Sequence, residues 1–234
     1  MIMSRVSDRL NRLSYSQTFV MSNKARDMKA AGIDVISLTL GEPDFDVPDN
    51  IKKAAFDAIN ENYSHYSPVP GFLELRKAIV NKLKRDNNLD YKPTQICVAN
   101  GAKQNIFNVL AALVNEGDEV ILPAPYWVSY DEMVKINGGV SVFIETNIDT
   151  EFKMTAEQLE AAITPKTKAV LYSSPCNPSG SYYTREELEK IANVMAKYPD
   201  VVIISDEIYE FINYDGEHVS IAEFPQVFNQ TAVI

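Results

Sequence analysis

The chain has 234 residues, 46% of them hydrophobic and 23% charged, so it is long enough for one large globular domain or for one domain and part of another. Its net charge of −10 argues against a nucleic-acid partner, because phosphate backbones are bound by basic surfaces. The cysteines, Cys97 and Cys176, fit no metal or redox spacing, and we find neither a signal peptide nor an apolar run long enough to span a bilayer. We therefore expect a cytoplasmic protein with no metal site and no membrane partner.

The first part of the chain is predicted to be mostly helical. Apolar residues at helical spacing predict helices over 17–31, 49–60 and 71–85. The first of these ends at Gly32, a favourable residue just past a helix C-terminus. Residues 35–38 predict a short strand, which a turn-rich segment follows. We expect this part of the chain to form an N-terminal arm and part of a second lobe.

From residue 96 onward, short apolar strands alternate with amphipathic helices. Strands are predicted over 96–99, 119–122, 140–144, 168–172, 201–205 and 231–234. Helices are predicted over 102–114, 127–136, 155–163 and 184–198. Thr155 is a predicted N-cap, and Thr184 opens a predicted capping box. The alternation predicts an α/β fold with a mostly parallel, twisted sheet covered by helices.

The most informative stretch begins with a β-branched run at 201–204. This run has no polar break, as in a strand that is buried on both faces of a parallel sheet. Asp206 stands at its carboxyl end, where open α/β sheets bind ligands, and Tyr209 follows closely. A buried carboxylate needs a positive or hydrogen-bonding partner. The alternative is an acidic turn exposed to solvent, and this stretch alone does not decide between the two.

Three further turns follow predicted strands, and each also has a purely structural explanation. At 99–104 a strand leads through Gly101 into a helix, whose N-terminus favours a phosphate, although a plain connection has the same pattern. Trp127 could stack on a flat ligand or pack against its own helix. Asn177 lies between two prolines, and either X-Pro bond could be cis. Its side-chain amide could donate to a ligand, or the segment could simply form a tight turn. Together with Asp206, these turns predict a site for a flat, phosphorylated, nitrogen-containing ring.

An ordered series of motifs makes the sequence resemble the class I aminotransferases, pyridoxal-phosphate enzymes of fold type I. The motifs are Gly41-Glu42-Pro43-Asp44-Phe45, Tyr66 with Pro70-Gly71, Gly101-Ala102-Lys103-Gln104, Pro125-Tyr126-Trp127, Asn177-Pro178-Ser179-Gly180 and Ser205-Asp206-Glu207-Ile208-Tyr209. The resemblance covers nearly the whole chain. It is strongest to the bacterial aspartate aminotransferases that include prephenate-active members. It implies the large domain of a pyridoxal-phosphate-dependent transferase.

The resemblance implies that the cofactor is pyridoxal 5'-phosphate and that Asp206 and Tyr209 are the catalytic residues. Asp206 would face the pyridine nitrogen and keep it protonated, which makes the ring an electron sink. Tyr209 and Asn177 would hydrogen-bond the phenolic oxygen of the ring, and Trp127 would stack on its face. The phosphate would be held by backbone N–H groups around three residues, Gly101, Ala102 and Lys103.

The resemblance also implies contacts with substrates and with a second subunit. Tyr66 would reach the phosphate bound by the partner subunit, which implies a homodimer with shared sites. The substrate carboxylate would be bound by Gly41, Trp127 and Asn177. An acidic substrate would be held by Ser16, Thr18 and Lys103. The implied reaction transfers an amino group between an amino acid, aspartate or another acidic donor, and a 2-oxo acid.

The resemblance places residues 1–45 in an N-terminal arm and part of the small domain, and residues 46–234 in the large cofactor-binding domain. The lysine that forms the Schiff base in this family would follow shortly after Ile234. The large domain is therefore expected to be incomplete at its C-terminus, and these residues alone to be inactive. Two alternatives to an aminotransferase stay open, a non-catalytic fragment or module that binds the cofactor, and a fold-type-I lyase.

Overall fold

The computed structural model describes residues 6–15, 17–39 and 41–234. Five strands form one sheet: β1 (Glu119–Ala124), β2 (Val140–Glu145), β3 (Thr167–Ser173), β4 (Val202–Asp206) and β5 (Thr231–Val233). Every pairing is parallel, and the spatial order is β2-β1-β3-β4-β5. All carboxyl ends therefore lie at one edge, which confirms the predicted α/β fold with a parallel sheet.

Seven α-helices lie in the described part of the chain. They are α1 (Gln17–Ala30), α2 (Asp49–Asn60), α3 (Leu73–Asn87), α4 (Ala102–Leu113), α5 (Ser129–Ile136), α6 (Ala156–Ala162) and α7 (Arg185–Met195). Over the described ranges, none of these helices has both the length and the apolar character that crossing a membrane requires.

Contacts divide the chain into two compact units. One is Ser14–Val69, with α1 and α2, and the other combines Met1–Leu13 with Pro70–Ile234 and holds the sheet. The domain boundary after residue 45 concerns the whole protein and stays a prediction.

The sheet is buried on both faces because successive residues of a strand point to opposite sides. On one face, Leu122 of β1 belongs to a core cluster with Leu110 of α4. On the other face, Ile121 belongs to a second cluster with Leu188 of α7. All four side chains are fully buried. Helices α4 and α5 therefore cover one face and α6 and α7 the other, which holds the carboxyl edge rigidly.

Two predicted strands are wrong over the described residues. Residues 35–38 form no strand, and Ile36 and Leu38 are 88% and 92% exposed, so this apolar run is not a buried strand. Residues 96–99 form no ladder with a neighbouring strand; the Val98 N–H instead donates to the Pro70 carbonyl at 3.1 Å. Apolar composition indicates a strand only where another strand supplies the hydrogen bonds, and local pattern does not reveal that partner.

The two predicted helix caps are confirmed. Thr155 Oγ1 accepts from the Gln158 N–H at 3.2 Å and starts α6. Thr184 Oγ1 accepts from the Glu187 N–H at 3.3 Å, and the Glu187 carboxylate accepts in return from the Thr184 N–H at 2.8 Å. This reciprocal capping box satisfies backbone donors that the first turn of α7 leaves without intrahelical partners.

We expect Thr184→Ala to lower the free energy of unfolding by about 1 kcal/mol, the usual effect of removing an N-cap hydroxyl. Urea denaturation followed by circular dichroism measures this change. Thr184→Ser keeps the hydroxyl and should stay within a few tenths of a kcal/mol of the unchanged chain. Equal losses in both variants would show that the hydroxyl is not what stabilises α7.

Candidate functional site

Asp206 is a buried carboxylate at the carboxyl end of β4. Its backbone carbonyl accepts from the Ser174 N–H at 3.1 Å, which fixes it against the segment that follows β3. Its side chain accepts from the Tyr130 hydroxyl at 2.5 Å and from the Ile208 N–H at 3.3 Å, and the residue is only 4% exposed. Burial raises the pKa of Asp206, and the hydrogen bond from Tyr130 opposes that rise. A buried carboxylate of this kind favours a cationic partner.

Trp127 lies just before α5, which begins at Ser129, later than the predicted start. Its ring is half-buried and meets the ring of Tyr130 edge-on, with 5.6 Å between centroids and an interplanar angle of 89°. The ammonium of Lys103 lies 4.6 Å from the centroid of the Trp127 ring. Contacts thus run continuously from Lys103 through Trp127 and Tyr130 to Asp206.

Asn177 and Tyr209 are brought together from the ends of neighbouring strands. The Asn177 side-chain amide donates to the Tyr209 hydroxyl at 3.3 Å, and both side chains are half-buried. The bonds Ser174-Pro175 and Asn177-Pro178 are both cis, an arrangement that the sequence left open. The Cys176 thiol lies 3.6 Å from the Pro125 carbonyl, so the loop that carries Asn177 also contacts the loop after β1.

Gly101 gives α4 an N-terminus without a side chain in front of it. Its φ of +85° lies in the left-handed region, which glycine adopts far more readily than other residues. No atom lies within 4 Å of the position that a Cβ would take, so the space there is open. The first turn of α4, with Ala102 and Lys103, therefore presents backbone N–H groups and the positive end of the helix dipole. This arrangement suits an anionic group.

Some predicted site residues belong to the other unit or fall outside the description. Thr18 lies in the first turn of α1, and Gly41 and Tyr66 lie in loops of the Ser14–Val69 unit, where Tyr66 is fully exposed. Ser16 lies outside the described residues. The roles of these four residues stay predictions.

Sequence reasoning missed Tyr130, although its hydroxyl makes the shortest contact with Asp206. The residue is 1% exposed and lies in the first turn of α5. The available signal was its position three residues after Trp127, a spacing that brings two side chains to the same side of a helical turn. Its partner Asp206 lies 76 positions further along the chain, and nothing local to either residue indicates the pair.

Sequence reasoning also missed the surroundings of Glu207. Its carboxylate accepts from the hydroxyls of Ser205 and Ser220, each at 2.8 Å, and contacts His218 Nε2 at 2.9 Å. Glu207 is 5% exposed and directly follows β4, and it shares none of the side-chain partners of Asp206. This network ties the segment around residues 218–220 to the end of β4.

The parallel sheet defines an α/β protein, and polar side chains gather at the carboxyl ends of its strands, the edge at which open α/β sheets bind ligands. A family model described as aminotransferase class I and II matches residues 33–230. The chain belongs to this family.

Named relatives agree with this assignment. An aspartate aminotransferase of Bacillus sp. (strain YM-2) is 51% identical over 231 residues, which are 98% of this chain and 59% of that protein. An aspartate/prephenate aminotransferase of Cereibacter sphaeroides is 51% identical over 213 residues, 91% of this chain and 53% of that protein. The chain thus spans little more than half the length of these relatives.

Solved structures show the same fold. The aspartate aminotransferase of Thermus thermophilus with maleate matches with a TM-score of 0.94 and 40% identity, over 99% of this chain and 60% of that one. The aspartate aminotransferase of Rhizobium meliloti matches with a TM-score of 0.94 and 42% identity, over 97% and 57%. The chain therefore has the fold of the matching part of these aspartate aminotransferases.

Proposed function

We propose that the whole protein to which these residues belong transfers an amino group between an amino acid and a 2-oxo acid with pyridoxal 5'-phosphate. One observation carries the proposal: a buried carboxylate, Asp206, is held at the carboxyl edge of the sheet beside the Trp127 ring, with Tyr130 in contact with both. The family and the names of the relatives support the same reaction class.

The residues present fit the cofactor. Burial raises the pKa of Asp206. A protonated pyridine nitrogen would be a favourable partner for its carboxylate. Asn177 and Tyr209, joined at 3.3 Å, supply an amide and a hydroxyl for the phenolic oxygen of the ring. Trp127 offers an indole face for stacking. The phosphate would be held at the open N-terminus of α4 by Gly101, Ala102 and Lys103.

When bound, the cofactor supplies an electron-withdrawing ring that stabilises negative charge at the α-carbon of the amino acid. The contribution of Asp206 is to hold the proton on the ring nitrogen, because an adjacent anion favours the cationic form of that nitrogen. The contribution of Tyr209 and Asn177 is to orient the ring and bind its oxygen. Trp127 keeps one face of the ring out of water. These side chains therefore act by positioning and by electrostatics.

We propose an acidic amino donor, aspartate in the first instance. Lys103 places an ammonium 4.6 Å from the Trp127 ring, beside the proposed substrate position, and is exposed to solvent. Ser16 and Thr18 are predicted to help Lys103 hold the acidic substrate. Three further residues are predicted to bind the substrate carboxylate, namely Gly41, Trp127 and Asn177. The Thermus relative was solved with maleate, a dicarboxylate, which supports an acidic substrate.

We further propose a cytoplasmic homodimer in which Tyr66 of each subunit reaches the phosphate in the other. The support is the motif around Tyr66 and its fully exposed side chain. Tyr66→Phe should weaken binding of the cofactor only in the dimer.

Amino transfer is tested on the whole protein with pyridoxal phosphate, a panel of amino donors and a panel of 2-oxo acid acceptors. We expect new amino acid to form from the acceptor, with acidic donors fastest. Product that forms without any acceptor would indicate a lyase and contradict the proposal. Borohydride reduction followed by mass measurement separates the remaining alternative, since a module that binds the cofactor only non-covalently should show no labelled lysine.

A further inference from the structure

We propose that Tyr130 is a positioning residue, which fixes the Asp206 carboxylate at a set place relative to the Trp127 ring so that a cationic aromatic ring fits between the two. The inference rests on the proposed function. Tyr130 is the residue that contacts both groups, by a hydrogen bond to Asp206 and by an edge-on ring contact with Trp127. It does not itself need to touch the cofactor.

The geometry gives Tyr130 control over the orientation of the carboxylate. Its hydroxyl is 2.5 Å from Asp206 Oδ2, whereas Oδ1 accepts from the Ile208 N–H at the longer distance of 3.3 Å. With one donor on each oxygen, the two bonds fix the rotation of the carboxyl group, and Tyr130 is the side chain that supplies one of them. Tyr130 is 1% exposed, so its ring is enclosed by the surrounding side chains.

Tyr130 is also fixed relative to Trp127 through the backbone. Its N–H donates to the Trp127 carbonyl at 2.9 Å, and its ring lies 5.6 Å from the indole at 89°. Trp127 follows β1 and Asp206 ends β4, and β3 lies between these strands. Tyr130 therefore spans the width of the site and sets the separation of its two principal groups.

Electrostatics agree with this geometry. Burial, and then the charge of Asp206, raise the pKa of Tyr130 far above its ordinary value, so its hydroxyl remains a donor at any working pH. The same hydrogen bond lowers the pKa of Asp206 against the effect of burial. Loss of the hydroxyl should therefore raise the pKa of Asp206 and favour its protonated form, which binds a cation poorly.

The test is Tyr130→Phe, which removes the hydroxyl and keeps the ring packed on Trp127. Trp127 is the single tryptophan of the chain, so its fluorescence reports the titration of the chain with pyridoxal phosphate. We expect affinity to fall about tenfold, because a hydrogen bond to a charged group is worth about that factor. We also expect the pH below which binding fails to move upward.

Tyr172→Phe is the matched control. Tyr172 is 3% exposed, and its hydroxyl lies 3.2 Å from Ser205 Oγ, so this variant also loses a buried hydroxyl next to β4. Its affinity and pH profile should stay within about twofold of the unchanged chain. Equal losses in both variants would overturn the positioning role and indicate a general packing effect.

A double-mutant cycle with Asp206→Asn keeps the proposal falsifiable whatever the effect on stability. If Tyr130 acts through the Asp206 charge, its hydroxyl should matter much less once the charge is gone. Additive losses would overturn the inference. Failure of the whole protein to bind the cofactor would overturn the proposed function as well, whereas normal binding with an unaffected Tyr130→Phe would overturn the positioning role alone.

Discussion

Asp206→Asn is expected to reduce amino transfer by the whole protein by roughly 100- to 1,000-fold, the range seen when a preorganised electrostatic group is removed from an active site. Asparagine has the same shape and still accepts from Tyr130, but it cannot hold a proton on the pyridine nitrogen. Asp206 alone supplies that charge at the end of β4, because Glu207 points to the other side of the strand. The measurement is kcat/KM with an acidic amino donor.

The same substitution should leave the ligand-free protein more stable at neutral pH. Burial raises the pKa of Asp206 above the ordinary value of 3.8 in the folded state. The stability associated with its protonated form is therefore fully present below that value and is lost as the pH rises through the higher folded pKa. Asparagine does not titrate. As the pH rises from 3.8 through the folded pKa of Asp206, the free energy of unfolding should therefore fall less in the variant than in the unchanged protein.

Asp200→Asn is the matched control for both measurements. Asp200 is exposed and lies shortly before β4, and its replacement by asparagine removes the same charge. It should alter neither the turnover nor the pH dependence of unfolding. Retained turnover in Asp206→Asn would contradict the role of Asp206 as the partner of the ring nitrogen, and with it the proposed function.

Glu207→Ala should lower the free energy of unfolding by about 3 kcal/mol or more. Hydrogen bonds to a charged group are worth about 1.5–3 kcal/mol each, and buried donors left without an acceptor add their own cost. The Glu207 side chain is 4% exposed, and alanine leaves Ser205, Ser220 and His218 without this acceptor. Urea denaturation of the chain measures the change.

Glu217→Ala is the control for this second prediction. Glu217 is exposed on the same segment, so its loss should change the free energy of unfolding by no more than about 0.5 kcal/mol. A loss of that small size in Glu207→Ala would show that the network around Glu207 contributes little to the fold. Selective loss would show that the network around Glu207 stabilises the fold at the end of β4.

The fold class and most of the elements could be predicted from the amino-acid sequence. The β-branched run at 201–204 predicts the buried strand β4, and the two threonine caps begin α6 and α7 where the pattern places them. These features depend on the residues' own neighbours in the chain, through periodicity, propensity and capping. The motifs at the carboxyl ends of strands likewise follow from local sequence and indicated the family.

The side chains that surround Asp206 and Glu207 could not be predicted in this way, because their contacts join distant parts of the chain. Tyr130 and Asp206 are 76 positions apart, and Glu207 and Ser220 are 13 apart, so no local pattern pairs them. The absent strand at 96–99 has the same cause, because a strand exists through hydrogen bonds to a neighbour that its own residues do not specify. Local sequence fixes the conformation that each segment prefers, whereas contacts between distant segments depend on how the whole sheet and its helices pack.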